Sequence, residues 1–367
     1  VKQFPKSKNG SVIEVVDNKE QTLGFGFYAP NSQIVCRLFE FEIALQDFLS
    51  VDYWLVKFQN AIKLRQSLVI SHLTDCYRLI HAEGDFMPGI IVDVYGNTAV
   101  MQILIKGTEL IEPQLVTCLH QLGFKYIFRK IKISTHELED IEQASGWLGE
   151  APTKELIVNE NGLKFKVDVE KGQKTGFFID QRNNRQILRE LAKGKSVLNT
   201  FCYTGGFSVY ALAGGASEVH SVDISKDAVK MCDENVALNF TIPQAHTSVA
   251  DDCFQYLRKT DKQYDIVVLD PPAFAKNAKS VPNATRGYKD LNMLGLKKVK
   301  PGGLVMTYSC SGNIDKLLFQ KIVFGAAADV KRNVRIIGHL EAPVDHPVNI
   351  FHPESEYLKG LLLYVES

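Results

Sequence analysis

No run of about 18 or more uncharged apolar residues, the length a membrane-spanning helix needs, occurs anywhere in the sequence. The opening VKQFPKSKNG also lacks the apolar segment of a signal peptide. These two absences lead to the expectation of a cytoplasmic protein with no membrane partner. The first residue is Val rather than Met, so the natural N-terminus is expected to lie upstream of this numbering. Charge of one sign is missing as well: 42 Lys and Arg face 42 Asp and Glu. The whole chain therefore has no long-range pull on a polyanion, and any RNA contact must rest on local patches. Cysteine is present seven times, at 36, 76, 118, 202, 232, 253 and 310, but never as CxxC and never in a His/Cys cluster at zinc-ligand spacing. A structural zinc module is excluded on that ground and no metal is expected, while the odd count suits a reducing compartment.

What is there is globular. A hydrophobic fraction of 45% and a charged fraction of 23% are ordinary for a folded protein, and 367 residues exceed what one core usually organises, so two or three domains are expected. From Gly10 to Phe39, short β-branched runs broken by Asp-Asn, Gly and Pro-Asn turns predict a small β-rich domain. Leu45, Phe48, Leu49, Tyr53, Leu55, Phe58, Ile62 and Leu64 recur at helical spacing and predict a connecting helix. Asp75 to Ile105 reads as two strand-like runs, LIHAEGDFMPGIIVDVYG and TAVMQILI. An amphipathic helix over about 111–122 and a strand at 126–129 follow, then a hairpin around Asn161-Gly162. From about Gly172 onward apolar strands alternate with amphipathic helices, the rhythm of an α/β fold with a parallel sheet.

Within that region SVLNTF (196–201) reads as a buried strand, and Gly205 and Gly206 stand at the turn into the next helix, where a backbone without Cβ lets a ligand approach. Asp223 ends the second strand, 18 residues past Gly205, and a carboxylate there can hold the ribose hydroxyls of a nucleoside cofactor. Asp251 and Asp252 end the third strand; one of them is expected to accept from an adenine amino group. The three-glycine spacing that cradles a pyrophosphate is absent, which fits a cofactor with a methionine tail and argues against a nicotinamide-dependent dehydrogenase. YDIVVLDPPAF puts Asp270, Pro271 and Pro272 at the end of a fourth strand, and GLVMTYSCSG brings Cys310 to the same edge. A thiolate added to carbon 6 of cytosine makes carbon 5 nucleophilic, so methylation of carbon 5 requires a cysteine beside the methyl donor. Cys36, Cys76, Cys118, Cys232 and Cys253 are assigned to packing, because free cysteine is commonly buried, and Cys202 is expected to line the cofactor loop. The basic residues Lys276, Lys279, Arg286, Lys289, Lys297 and Lys298 suit either RNA phosphates or a solvated helix face.

With GQKTGFFIDQR, NTFCYTGGFS, SVDIS, LDPPAF, RGYKDLNML, YSCSG and DHPVNIFHPESEYLKG in place, nearly the whole chain resembles the bacterial 23S ribosomal RNA cytosine-5 methyltransferases. The resemblance implies a PUA-like RNA-binding domain over 1–70 with an apparently incomplete start. An α+β domain of EEHEE type over 71–170 and a class I Rossmann-like seven-stranded methyltransferase domain over 171–367 complete it. The implied cofactor is S-adenosyl-L-methionine, contacted by Thr175, Phe178, Asp180, Arg182, Asn199, Phe201, Tyr203, Thr204, Gly205, Gly206, Asp223, Ile224, Ser225, Asp251, Asp252, Asp270 and Pro271, with Arg182 pairing its carboxylate. Cys310 takes the place of the nucleophile and Asp270 that of the residue orienting the cytosine, in 23S ribosomal RNA or a ribosome-assembly intermediate. Other RNA cytosine-5 methyltransferases carry a second cysteine beside the proline motif; here Pro272-Ala273 stands there, so product release needs another base. Two rivals share the fold: a nitrogen-directed base methyltransferase that needs no thiol, and a non-catalytic ribosome-assembly protein that binds RNA.

Overall fold

The computed structural model describes residues 5–41, 47–131, 139–241, 245–275 and 277–366. The chain folds into two compact units, one of Val1–Gly162, Val167–Ile179 and Val344–Ser355, the other of Leu163–Lys166, Asp180–Pro343 and Glu356–Ser367.

In the first unit β1 (Val12–Val16), β2 (Thr22–Tyr28) and β3 (Cys36–Glu40) form an antiparallel meander. Its inner face is aromatic: Phe25, Phe27 and Phe39 pack with Phe48 and Trp54. The helix α1 (Val51–Leu68) starts where Ser50 caps the backbone N–H of Tyr53 at 3.3 Å, later than the periodicity suggests; Leu45 lies outside the described residues. A five-stranded sheet follows, in the order β4 (Cys76–His81), β5 (Ile90–Tyr95), β6 (Thr98–Ile103), β7 (Tyr126–Lys130), β8 (Gly146–Trp147), with α2 (Lys106–Leu110) and α3 (Glu112–Gln121) crossing between β6 and β7. The run LIHAEGDFMPGIIVDVYG is two strands and not one, because Ala82–Asp85 winds into a 3-10 turn and Phe86 and Gly89 adopt positive φ (58° and 79°). The aromatic meander, α1 and the larger sheet share one hydrophobic core, so the segments expected as first and second domains are packed together. After β9 (Leu156–Glu160), Asn161 and Gly162 take φ of 51° and 80°, the left-handed pair a type I′ turn requires; β10 (Leu163–Val167) follows, and its first four residues are assigned to the second unit.

A buried ionic network also belongs to this unit. Arg65 engages Asp85 through two nitrogens, and Arg78 engages Asp93 at 2.8 and 2.9 Å. The segment 344–355 is tied into it. Asp345 accepts from Arg78 N through Oδ2 at 3.0 Å, its carbonyl accepts from Arg65 at 2.9 Å, and His346 lies beside His81 with ring centroids 5.0 Å apart.

The second unit is a three-layer α/β fold. Its elements in chain order are α4 (Arg182–Leu191), β11 (Ser196–Thr200), α5 (Gly206–Ala213), β12 (Glu218–Asp223), α6 (Lys226–Asn239), β13 (His246–Ala250), α7 (Cys253–Lys259), β14 (Tyr264–Leu269), α8 (Val281–Lys298), β15 (Val299–Ser309), α9 (Lys316–Asp329), β16 (Val334–Leu340) and β17 (Lys359–Val365). The sheet order is β13-β12-β11-β14-β15-β17-β16, parallel except for β17, which is the seven-stranded class I Rossmann-like arrangement. β11 is buried along its whole length and β14 at every position but Asp265, because helices cover both faces of the sheet. The strand order reverses between β11 and β14, and a crevice opens past the carboxyl ends of strands at such a point. Phe201, Asp223, Asp270 and Cys310 each follow or close one of those strands. No described helix is long and apolar enough to cross a membrane.

Candidate active site

The turn from β11 to α5 is backbone-strained. Phe201, Tyr203 and Gly205 have φ of 55°, 47° and 82°, and each non-glycine residue held there costs on the order of 1–3 kcal/mol. Side chains from three other elements hold it: Phe201 N donates to Cys253 Sγ (3.1 Å), Tyr203 N to Asp223 Oδ2 (2.9 Å), and Asn235 Nδ2 to Thr204 O (2.8 Å). Gly205 is obligatory for a second reason, since a Cβ there would sit 2.4 Å from Cys232 Sγ. Gly206 starts α5 against Arg185, with a would-be Cβ 3.1 Å from its Cδ.

Asp223 accepts from Ser225 N as well (2.9 Å), and its half-buried carboxylate lies at the strand end with Ile224 exposing 72% of its surface beside it. Thr204 Oγ1 is buried with no hydrogen-bond partner. An acceptor for hydroxyls, an apolar surface and an unsatisfied buried hydroxyl together suit a nucleoside cofactor. Of the two expected adenine acceptors, Asp252 is committed to capping α7 through Gln255 N (2.9 Å), whereas Asp251 stays half-buried, 3.8 Å from Lys259. Ser225 likewise caps α6 through Ala228 N. Asn199 donates to Ser208 (2.8 Å), which leads on to Ser221 and His246 as a buried polar chain.

Across the switch point, Asp270 accepts from Gln181 Nε2 at 3.0 Å. A carboxylate can only accept, so the Gln181 amide must turn its NH2 that way; its Oε1 then receives Asn184 Nδ2 at 2.6 Å, and Asn184 also reaches Glu341 O. Gln181 and Asn184 are buried. Sequence reasoning missed both; the available signal was α4 itself, whose segment RNNRQILREL carries buried Arg182, Asn184 and Arg185 where an ordinary amphipathic helix would bury aliphatic residues. Asp180, also buried, accepts from Tyr357 Oη at 2.6 Å. Thr175 and Phe178 fall in the first unit, where the buried Thr175 hydroxyl donates to Asp93 (2.6 Å) and meets Tyr95 Oη (2.8 Å), and Lys174 Nζ lies 4.4 Å from the Phe178 ring centroid.

Cys310 leaves the end of β15 half-buried, its Sγ 3.9 Å from the carbonyl oxygen of Pro271. The thiol and the Asp-Pro-Pro loop are thus neighbours, as the parallel pairing of Leu269 with Thr307 dictates. The other cysteines differ. Cys76, Cys118, Cys202, Cys232 and Cys253 are buried; a hydrogen bond with Cys232 and burial push Cys202 well up, and burial pushes Cys253 up to about 12. Cys36 is half-buried at the start of β3, and burial pushes its thiol up to about 11. Of the basic residues, Lys289 pairs with Asp329 (2.8 Å) and Lys298 donates to Thr260 O, while Lys279, Arg286 and Lys297 are exposed; Lys276 lies outside the described residues. Among the described residues no group of three or more His, Cys, Asp and Glu is placed to hold a metal ion.

A family model described as S-adenosylmethionine-dependent methyltransferase matches residues 129–359, and one described as a PUA-like domain matches residues 1–41. A ribosomal RNA large subunit methyltransferase I from Photobacterium profundum is 40% identical over 366 residues, 98% of this chain and 92% of that protein. One from Vibrio parahaemolyticus is 39% identical, covering 96% and 89%. Among solved structures, a methyltransferase complexed with SAH has a TM-score of 0.85 at 28% identity, covering 98% of this chain and 92% of that one.

Proposed function

Because the chain belongs to the S-adenosylmethionine-dependent methyltransferase family of the ribosomal RNA large subunit methyltransferases I, we propose that it methylates carbon 5 of a cytosine in large-subunit ribosomal RNA through a covalent adduct at Cys310. The observation that carries this reading is the half-buried thiol 3.9 Å from Pro271 O, beside Asp270 and at the sheet edge that also bears Asp223. The relatives named as ribosomal RNA large subunit methyltransferases support the choice of an RNA substrate.

Asp223 is suited to the ribose hydroxyls, Asp251 to the adenine amino group, Ile224 to the adenine face, and the backbone of Tyr203 to Gly206 to the remainder of the cofactor. Arg182, at the start of α4, is assigned to the methionine carboxylate, with Asp180 two residues before it. Bound S-adenosylmethionine supplies the methyl group as an electrophile on its sulfonium. The Cys310 thiolate adds to carbon 6, forming a C–S bond and moving the ring's electron pair to carbon 5, which takes the methyl as the methyl–sulfonium bond breaks and its electron pair stays on the departing thioether sulfur. Loss of the carbon-5 proton to a base then restores the double bond and breaks the C–S bond, returning the thiolate. Asp270, held by Gln181, orients the base through its exocyclic amine.

RNA carrying 5-fluorocytosine tests the scheme, since fluorine cannot leave as a proton and the adduct must accumulate. The expected result is a denaturation-resistant complex whose crosslinked peptide contains Cys310; its absence overturns the covalent mechanism. Full activity in Cys310→Ala would instead establish a nitrogen-directed methyltransferase, and no cofactor binding by calorimetry would establish a non-catalytic RNA-binding role.

A further inference from the structure

Nucleophilic attack needs the thiolate, and a positive charge for it is built into the strand beside Cys310. Lys359 opens β17 directly opposite Ser309, the residue before Cys310. Its side chain is buried, exposing 6% of its surface, and Nζ donates to Ser311 O at 2.7 Å and to Ile314 O at 2.5 Å. Two of its three N–H bonds thus clamp the turn that follows Cys310. Ala275 N and Tyr288 Oη hold the same turn from the other side through Ser311 Oγ, at 3.2 and 2.9 Å. A buried ammonium normally sits against a carboxylate, yet among the described residues none lies within ion-pair distance of Lys359: nearby Lys316 takes Glu341 and Glu356. Burial pulls the Lys359 ammonium down, and of the charges that act against that pull Cys310 comes first, ahead of Asp315 and Glu356.

Resting on the assignment of Cys310 as nucleophile, we propose that Lys359 is its positioning residue, an ammonium that fixes the turn carrying the thiol and favours the thiolate by its charge. The thiol's proton goes to solvent, the electron pair stays on sulfur for attack at carbon 6, and Lys359 keeps its own proton throughout. No bond to Lys359 is made or broken.

The test is the pH profile of Cys310 alkylation by iodoacetamide, followed on the Cys310 peptide by mass spectrometry in the full chain. In the unaltered protein the midpoint lies below the ordinary thiol value of about 8.5. In Lys359→Met, which keeps the aliphatic stem, it rises by about one unit or more, whereas Lys359→Arg, which keeps the charge, stays near the parent. A folded Lys359→Met with an unchanged midpoint overturns the proposal. Should that variant fail to fold, a midpoint at or above the ordinary value in the unaltered protein overturns it alone. Adduct formation with 5-fluorocytosine RNA reads the nucleophile separately: a depressed midpoint without an adduct overturns the role of Cys310 in catalysis and leaves the charge effect of Lys359 established.

Discussion

Asp223 already accepts two backbone N–H bonds, from Tyr203 and Ser225, before any ligand arrives. The same carboxylate that is suited to ribose hydroxyls therefore latches the turn that surrounds the cofactor. Removing it loses both functions: Asp223→Ala is expected to weaken S-adenosylmethionine binding by about 1.5–3 kcal/mol, roughly ten- to a hundredfold in Kd by calorimetry, the range for hydrogen bonds to a charged group. Cys310→Ser separates chemistry from binding. Its hydroxyl is a far weaker nucleophile than a thiolate, so turnover vanishes while calorimetry finds cofactor affinity close to that of the parent; retained turnover would remove Cys310 from the mechanism. Gln181→Leu acts one residue further out, leaving Asp270 without its amide donor, and is expected to lower kcat about tenfold with cofactor affinity unchanged. The positions of Asp270 and Cys310 were legible in the sequence because each follows a largely apolar strand, and that of Asp223 because EVHSVDIS falls where the strand-helix rhythm places the next strand. Gln181 was not, since its partner Asp270 is 89 residues away and nothing in the local pattern encodes that meeting.

At the scale of elements, the β11–α5 turn and α6 constrain one another. Sequence reasoning gave Gly205 to ligand approach; the structure adds a packing role, because its positive φ and the 2.4 Å separation from Cys232 Sγ each forbid a side chain. Gly205→Ala is expected to cost about 1–3 kcal/mol, read as a fall in Tm. Adding Cys232→Ala removes the sulfur but not Cys232 Cβ at 3.1 Å or the φ of 82°, so the double variant recovers only part of the loss. Full recovery would show that φ carries no penalty. The alternation of strand and helix after Gly172 was readable from period alone, since a sheet covered on both faces leaves continuous apolar runs. The split of the β4–β5 run is marked in the sequence by Gly84, Asp85, Pro88 and Gly89 between the strands, breakers that the apolar segments on either side mask.

At the scale of the whole chain, the least legible feature is that residues 344–355 leave the methyltransferase fold, between β16 and β17, to join the first unit. Composition marks no boundary there; long-range hydrogen bonding does, as Asp345 accepts from the backbone N–H of Arg78 and, through its carbonyl, from the Arg65 guanidinium, both more than 260 positions earlier. His81 stands in that network, its Nδ1 3.1 Å from Arg78 and its ring against His346, with Arg65 and Asp345 also acting on it. Burial, then the Arg78 charge, lower it from 6.5 to about 2. The unfolded chain thus binds a proton near pH 6.5 that the folded chain refuses. Stability from the neutral imidazole is complete above that pH and is lost as pH falls toward about 2, at up to about 1.4 kcal/mol per pH unit. Between pH 7 and 5, above the range where most carboxylates titrate, Tm of the parent should fall with acidification, and His81→Gln should flatten that slope even if it lowers Tm throughout. Equal slopes would mean that the imidazole carries its proton inside the fold and that this network tolerates a third cation beside Arg65 and Arg78.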